Sequence, residues 1–194
     1  YNEFSYKNFT LSVLLDGQVG GKMYSHSHHK MTEQGKLAHT LNGRLPGTDF
    51  YMSKDDPRIA TAGLSPQDGM YMIAPGVVKN DDGSFSKNTK VVTVESYYKE
   101  FYRMANVETN TFSTDFLKLR EMRLEYKLPG STLKKTPFSK ASIAFYARNL
   151  FCITDYPLFD PESAALNGSS MVTGVETGSL PTARTFGLNI NLSF

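Results

Sequence analysis

Residues 184–194 alternate without a break. Phe186, Leu188, Ile190, Leu192 and Phe194 fall on one parity, and Gly187, Asn189, Asn191 and Ser193 on the other. Successive side chains of a strand point to opposite faces, so the pattern predicts a strand with one apolar and one polar face. Three earlier segments repeat this period over membrane-spanning length, about nine residues or more. In the segment at about 8–20, Phe9, Leu11, Val13, Leu15 and Val19 alternate with Thr10, Ser12, Asp16 and Gln18, and Leu14 breaks the pattern. At about 116–128, Met122, Leu124, Tyr126 and Leu128 alternate with Glu121, Arg123, Glu125 and Lys127. At about 141–151, Ile143, Phe145 and Ala147 alternate with Ala144, Tyr146 and Arg148.

An apolar edge strand invites aggregation in water. In an outer-membrane barrel the same strand is stable, with its apolar face on lipid, its polar face on the lumen and its edges closed by neighbours. The expected fold is therefore all-β: an antiparallel transmembrane barrel segment of four strands with long loops. The turn-rich stretch 129–137 is short, whereas the connections at about 22–113 and 154–182 are long. Bacterial barrels keep short turns in the periplasm and long loops outside, which places the C-terminus in the periplasm. Within the long insert, 28–41 is expected to contain a short helix, and 91–98 reads as a strand running into the aromatic segment Tyr97–Tyr102. The run Asn80-Asp81-Asp82-Gly83-Ser84 is a strong turn.

Composition narrows the field. Of the 194 residues, 40% are hydrophobic and 21% charged, with net charge +2, which excludes a disordered charged tail and gives no footprint for nucleic acid. Mean hydropathy is −0.35 and no apolar run is long enough for a membrane helix; barrel strands are half polar and escape such a test. The one cysteine, Cys152, excludes an internal disulfide and reads as a small apolar filler. The segment at Tyr1 has no signal-peptide pattern and no initiator Met, and is expected to be cut from a longer chain.

Three motifs, in order, resemble the C-terminal end of the SusC/RagA family of TonB-dependent outer-membrane transporters. They are Asp115-Phe116-Leu117-Lys118-Leu119-Arg120-Glu121 with Tyr126-Lys127-Leu128-Pro129; Ala147-Arg148-Asn149-Leu150-Phe151 with Tyr156-Pro157-Leu158-Phe159-Asp160-Pro161-Glu162; and Pro181, Arg184-Thr185-Phe186 with the final alternation. Residues 8–13 with Gly17, Gly20 and Gly21 look like an earlier strand of the same barrel. The resemblance implies the last four strands of a barrel of about 22. It implies TonB-coupled import of glycans or peptides in the bacterial outer membrane. No nucleophile–base pair or metal constellation stands out in the residues, so no enzymatic chemistry and no cofactor or metal is expected. The partners implied are the rest of the barrel and its plug, a SusD-like lipoprotein, the TonB complex, the outer-membrane assembly machinery and the glycan or peptide substrate. The plug domain and TonB-contact region are not in this sequence.

On this frame Asp16, Gln18, Glu121, Arg123, Glu125, Lys127, Tyr146 and Arg148 face the lumen. Leu11, Val13, Leu15, Met122, Leu124, Ile143, Phe145, Leu188, Ile190 and Leu192 face lipid. Tyr97, Tyr98, Phe101, Tyr102, Tyr156 and Phe159 are candidates for loop packing or partner contact, and Phe194 for the assembly signal. Lys118 and Arg120 share parity with the lipid-facing residues. Either they meet lipopolysaccharide phosphates or a rim loop at the outer end of the strand, or a bulge resets the parity. His26, His28, His29 and His39 read as a solvated helix start in preference to a metal site. Asp155, Asp160 and Glu162 read as a rigid loop first, a calcium site second and a glycosidase pair third. A soluble carbohydrate-binding β-sandwich, a surface glycosidase and a passive porin are the rival functions.

Overall fold

Lys7 and Asn8 make a two-residue turn closed by the pair Tyr6–Phe9, with Lys7 at the positive φ (52°) such hairpins demand. The hairpin joins β1 (Asn2–Tyr6) to β2 (Phe9–Gln18). The computed structural model describes residues 1–163, 165–167 and 170–194. The expected 154–182 loop therefore includes positions 164, 168 and 169, which lie outside the described residues. Three more strands, β3 (Phe116–Lys127), β4 (Lys140–Thr154) and β5 (Thr185–Ser193), complete a five-stranded antiparallel sheet in the order β1-β2-β3-β4-β5. The sheet thus has five strands where the sequence suggested four. β1 was missed because its alternation, Phe4 and Tyr6 against Glu3 and Ser5, spans only five residues. β2 ends at Gln18 because Gly20 and Gly21 adopt φ +91° and +94°, outside the strand region. Between β3 and β4, Gly130–Leu133 forms a one-turn helix.

The register carries whole rows of one character across the sheet. Phe4, Leu11, Leu124, Phe145 and Leu188 are successive partners, and so are Tyr6, Phe9, Tyr126, Ile143 and Ile190. The neighbouring polar rows include Ser5, Thr10, Glu125, Ala144 and Asn189. Nothing else among the described residues covers the apolar rows: Leu124 and Phe145 are each 46% exposed, Leu188 62% and Ile190 59%. A two-sheet sandwich would bury these residues against a second sheet.

The chain divides into two units, Tyr1–Met23 with Phe112–Phe194, and Tyr24–Thr111. The second is an ordered small domain. Helix α1 (His26–Glu33) starts where the Ser25 hydroxyl accepts the His28 amide at 3.0 Å. Helix α2 (Pro57–Thr61) is capped by Asp56 with proline at its first position. The segment 91–98 is a strand only as far as Thr93, whose hydroxyl accepts the Ser96 amide at 3.0 Å and starts helix α3 (Val94–Phe101). That cap is the reason the expected strand turns into a helix. Strand Tyr71–Ile73 pairs with Val91–Thr93 and separates two apolar clusters. Tyr71, Ile73 and Val91 join Met52, Ile59 and Leu64 on one side; Met72 and Val92 join Val94 and Tyr98 on the other. The turn at 80–84 closes the hairpin of Val77–Lys79 with Phe85–Lys87.

The buried Tyr98 hydroxyl donates to the carbonyls of His39 at 2.7 Å and Asn42 at 3.2 Å. Tyr98→Phe leaves both carbonyls without that donor and should cost this unit about 1–2 kcal/mol. Amide exchange in 26–33 and 94–101 should then speed up roughly tenfold, with β2–β5 unaffected. Unchanged exchange in those helices would contradict the role given to the hydroxyl.

Candidate functional site: the polar face and its ionic cluster

The polar face is built by the same alternation that builds the apolar one. Glu121, Arg123 and Glu125 of β3 stand opposite Arg148, Tyr146 and Ala144 of β4. Arg148 Nε donates to Glu121 at 2.8 Å, Ser142 Oγ to Glu125 at 2.7 Å, and Arg123 Nη1 to Glu125 at 3.1 Å. The Arg148 guanidinium lies 5.4 Å from the Tyr146 ring centre, and that ring covers Gly187, its partner on β5. Any side chain at 187 would collide with it, which explains a glycine inside a strand.

β3 changes parity in its middle. Leu14 and Leu15 of β2 pair with Glu121 and Leu119, so Arg120 is an extra residue; on the other side Arg148 and Phe151 pair with Glu121 and Leu119 across Asn149 and Leu150. Asn149 adopts φ 52° there, a conformation asparagine tolerates, and its amide donates to the Ala183 carbonyl at 3.0 Å. Below this bulge Met122, Leu124 and Tyr126 carry the apolar face; above it Leu117 and Leu119 do, in register with Gly17 and Leu15. Lys118 therefore pairs in register with Asp16 and Cys152, on the polar face. The bulge is the reason Lys118 and Arg120 seemed misplaced, and it removes the reading in which they reach lipopolysaccharide phosphates.

Lys118 is 3% exposed. Its ammonium donates to Asp160 at 2.5 Å and also to Glu162. Arg120 Nη2 reaches Glu162 at 2.5 Å and Asp16 at 2.7 Å, and its Nε reaches Asp16 at 3.0 Å. The Phe116 ring lies 5.0 Å from Lys118 Nζ and 5.8 Å from Arg120 Cζ. The second Asp160 oxygen accepts the Thr182 hydroxyl at 2.8 Å, and the first also accepts the Glu162 amide at 3.0 Å. The cluster thus ties Asp160 and Glu162, and through Asp160 also Thr182, to β2 and β3. Burial raises the Asp160 carboxyl, but the Lys118 ammonium, the Glu162 amide and the Thr182 hydroxyl outweigh it and hold the group at about 2; Arg120 and Lys118 lower Glu162 against the same cost. Neither group can store a proton at neutral pH, so a glycosidase would have no acid here. All four carboxylate oxygens already accept donors. Asp155 is outside the cluster.

Several expectations change. Gln18 donates to Gly20 O and Thr114 Oγ1, each at 3.1 Å, and so serves the strand end. Cys152 is exposed and fills no core. Of the aromatic candidates for loop packing or partner contact, Tyr98 and Tyr156 are buried within the chain, which fits loop packing, whereas Phe101 and Phe159 remain exposed. His28 and His29 are buried as well, contrary to the solvated reading. His28 Nδ1 bonds Asn110 Oδ1 at 3.0 Å and its ring stacks on His39, which stacks on Tyr102. Burial holds both His28 and His39 below the ordinary imidazole range, so they are neutral packing groups. Among the described residues no set of three or more His, Cys, Asp or Glu is placed to hold a metal. No helix is long and apolar enough to cross a membrane, which leaves strand crossing untouched.

The sheet thus has an open apolar face, an internally paired polar face and a loop tied to one end by the ionic cluster. No family model matches the sequence. TonB-dependent receptor P3 of Formosa agariphila is 31% identical over 87 residues, 43% of this chain and 9% of that protein. Structures of the RagAB peptide importer in the closed-closed state (TM-score 0.54, 20% identity) and of the RagAB peptide transporter (0.53, 18%) share the fold over 98% of this chain and 16% of theirs. The chain therefore spans a small part of the relatives it matches. The solved structures show the fold of this chain, and the 87-residue match is a partial likeness to a TonB-dependent receptor.

Lys118→Met should free segments 156–163 and 175–182, since removing one partner of a buried pair costs about 3–5 kcal/mol. The proton linkage gives an independent check. The folded pKa of Asp160 lies below its ordinary 3.8, so the unfolded form binds more protons between that value and about 2. Its stabilisation is complete above about pH 4 and is lost as pH falls to about 2. Amide exchange in these segments should stay slow from pH 7 to about 4, then rise. In Lys118→Met it should be fast at pH 7. Slow exchange in that variant would contradict the lock.

Proposed function

We propose that this chain is part of the wall and loops of an outer-membrane transporter that imports peptides or glycans by TonB-coupled transport. The open apolar face carries the reading. Contiguous apolar patches on soluble monomers seldom exceed a few hundred Å², and here large apolar side chains stand exposed on all five strands, among them Phe4, Phe9, Leu124, Phe145 and Leu188. From Leu117 to Tyr126, whose partners Gly17 and Phe9 on β2 are eight residues apart, the band runs about 26 Å at ~3.3 Å per residue, which a strand tilt of about 40° shortens to about 20 Å, near the ~25 Å apolar band of such barrels. β1 and β5 each have one unpaired edge in this sheet. In lipid those edges need further strands, so the barrel is completed by the rest of the protein and surrounds a plug. On this reading the apolar-parity residues, Leu11 to Leu192, meet acyl chains. Glu121, Arg123, Glu125, Lys127, Tyr146 and Arg148 line the lumen or grip the plug, and the loops lie outside the cell.

The relatives favour energy-coupled import, and the RagAB importer's cargo is peptide by its name. A SusD-like lipoprotein, covering the loops, is the partner this architecture suits. A passive porin would share the wall and lack the coupling. The test is uptake of labelled peptides and oligosaccharides by cells carrying the full-length protein. Uptake of one class should vanish on deletion of the gene and equally on loss of TonB. Uptake that survives loss of TonB would favour the porin, and uptake that survives deletion of the gene would remove the transport role. Within the wall, Leu188→Arg or Ile190→Arg should cost about 2–4 kcal/mol of insertion, read as loss of folded protein from the outer-membrane fraction. Asn189→Arg, on the opposite face, should be tolerated. Equal tolerance at all three positions would contradict the lipid assignment.

A further inference from the structure

The two ends of the sheet treat their cations differently. At the loop end, Lys118 and Arg120 are consumed by Asp16, Asp160 and Glu162. At the turn end lie Lys7, between β1 and β2, and Lys134 and Lys135, between β3 and β4; Lys127 and Lys140 close the flanking strands. All five are exposed, and among the described residues none is within an ion pair. Residues 126–141 contain four lysines and no carboxylate, and 4–15 contain one lysine and no carboxylate. The nearest acid on β3, Glu125, is already engaged by Ser142 and Arg123.

Aromatic rings stand beside these lysines. Phe9 and Tyr126 are 4.8 Å apart in the last apolar row before the turns, next to Tyr6, and Phe138 packs on Phe194 at 5.1 Å. Lys7 Nζ lies 5.3 Å from the centre of the Tyr6 ring, so this lysine leans along the apolar face. An aromatic row followed by unpaired cations is the sequence of layers that matches the lipid interface, with rings at the headgroup level and charge beyond it. Lys127 and Lys140 share the parity of the polar face and add to the field at the same rim.

We propose that Lys7, Lys134 and Lys135 form a binding surface for the phosphates of anionic glycerophospholipids, holding the turn end of the wall in the headgroup layer. The proposal rests on the membrane reading above. Its test uses the full-length protein in nanodiscs of phosphatidylcholine with or without one-third phosphatidylglycerol, with retained lipid counted by native mass spectrometry. Phosphatidylglycerol should be enriched on the protein over its bulk share. Each Lys→Gln change at 7, 134 or 135 should lower that enrichment about fivefold, equivalent to the ~1 kcal/mol of one lysine near an anionic surface. Lys→Arg at the same positions should retain it. Insertion into both nanodiscs with no enrichment, or enrichment that the triple Gln variant keeps, overturns the lysine surface and leaves the wall reading standing. Failure to enter either bilayer overturns both. Displacement of phosphatidylglycerol by millimolar inorganic phosphate would make this a free-anion site and also overturns the lipid assignment.

Discussion

Side-chain alternation held in register across five strands is the constraint on which the sheet depends. A strand offers two faces with a period of two, and a slip of one residue exchanges them. Here the pairs Leu11–Leu124, Leu124–Phe145 and Phe145–Leu188 put apolar groups in one row, and the adjacent row, Ser5, Thr10, Glu125, Ala144 and Asn189, is polar on every strand except β4. A slip by one residue would set apolar groups against polar ones in both rows. On the proposed membrane reading, the sheet specifies its pairing through two solvents, one apolar and one aqueous, without a second sheet.

The same rule explains its exception. Lys118 and Arg120 would face the apolar side if β3 kept one parity. Burying such charges in hydrocarbon costs about 2–4 kcal/mol each. An extra residue at Arg120, opposed by the kink at Asn149, exchanges the faces of the upper strand and delivers both cations to the polar side. There they find Asp160 and Glu162, carried by the loop that follows β4. Bulge and ion cluster are thus one device. The bulge makes the cations available, and the carboxylates convert them into an anchor for the loop.

Much of this was legible in the residue order. The strands at 9–18, 116–127, 140–154 and 185–193 announce themselves by long alternation, and the turn at 80–84 by its Asn, Asp and Gly residues. Short elements were not legible: β1 has too few residues to establish a period, and helix α3 begins inside a β-branched run because of one capping hydroxyl. Contacts distant in sequence were also hidden. Nothing near His28 marks Asn110 as its partner, and nothing near Lys118 marks Asp160. The broken parity at Lys118 and Arg120 was the one visible trace of the ionic cluster.

The central claim is that one parity of these strands touches acyl chains while the other touches water. Site-directed spin labelling tests it most directly. In full-length protein with Cys152→Ser, which removes the exposed native thiol, single cysteines from 186 to 192 are labelled in a bilayer, and their accessibility to oxygen and to a water-soluble nickel chelate is compared. The account expects oxygen access to peak at 186, 188, 190 and 192 and nickel access to peak between them. A profile with no two-residue period, or with the peaks exchanged, would contradict it.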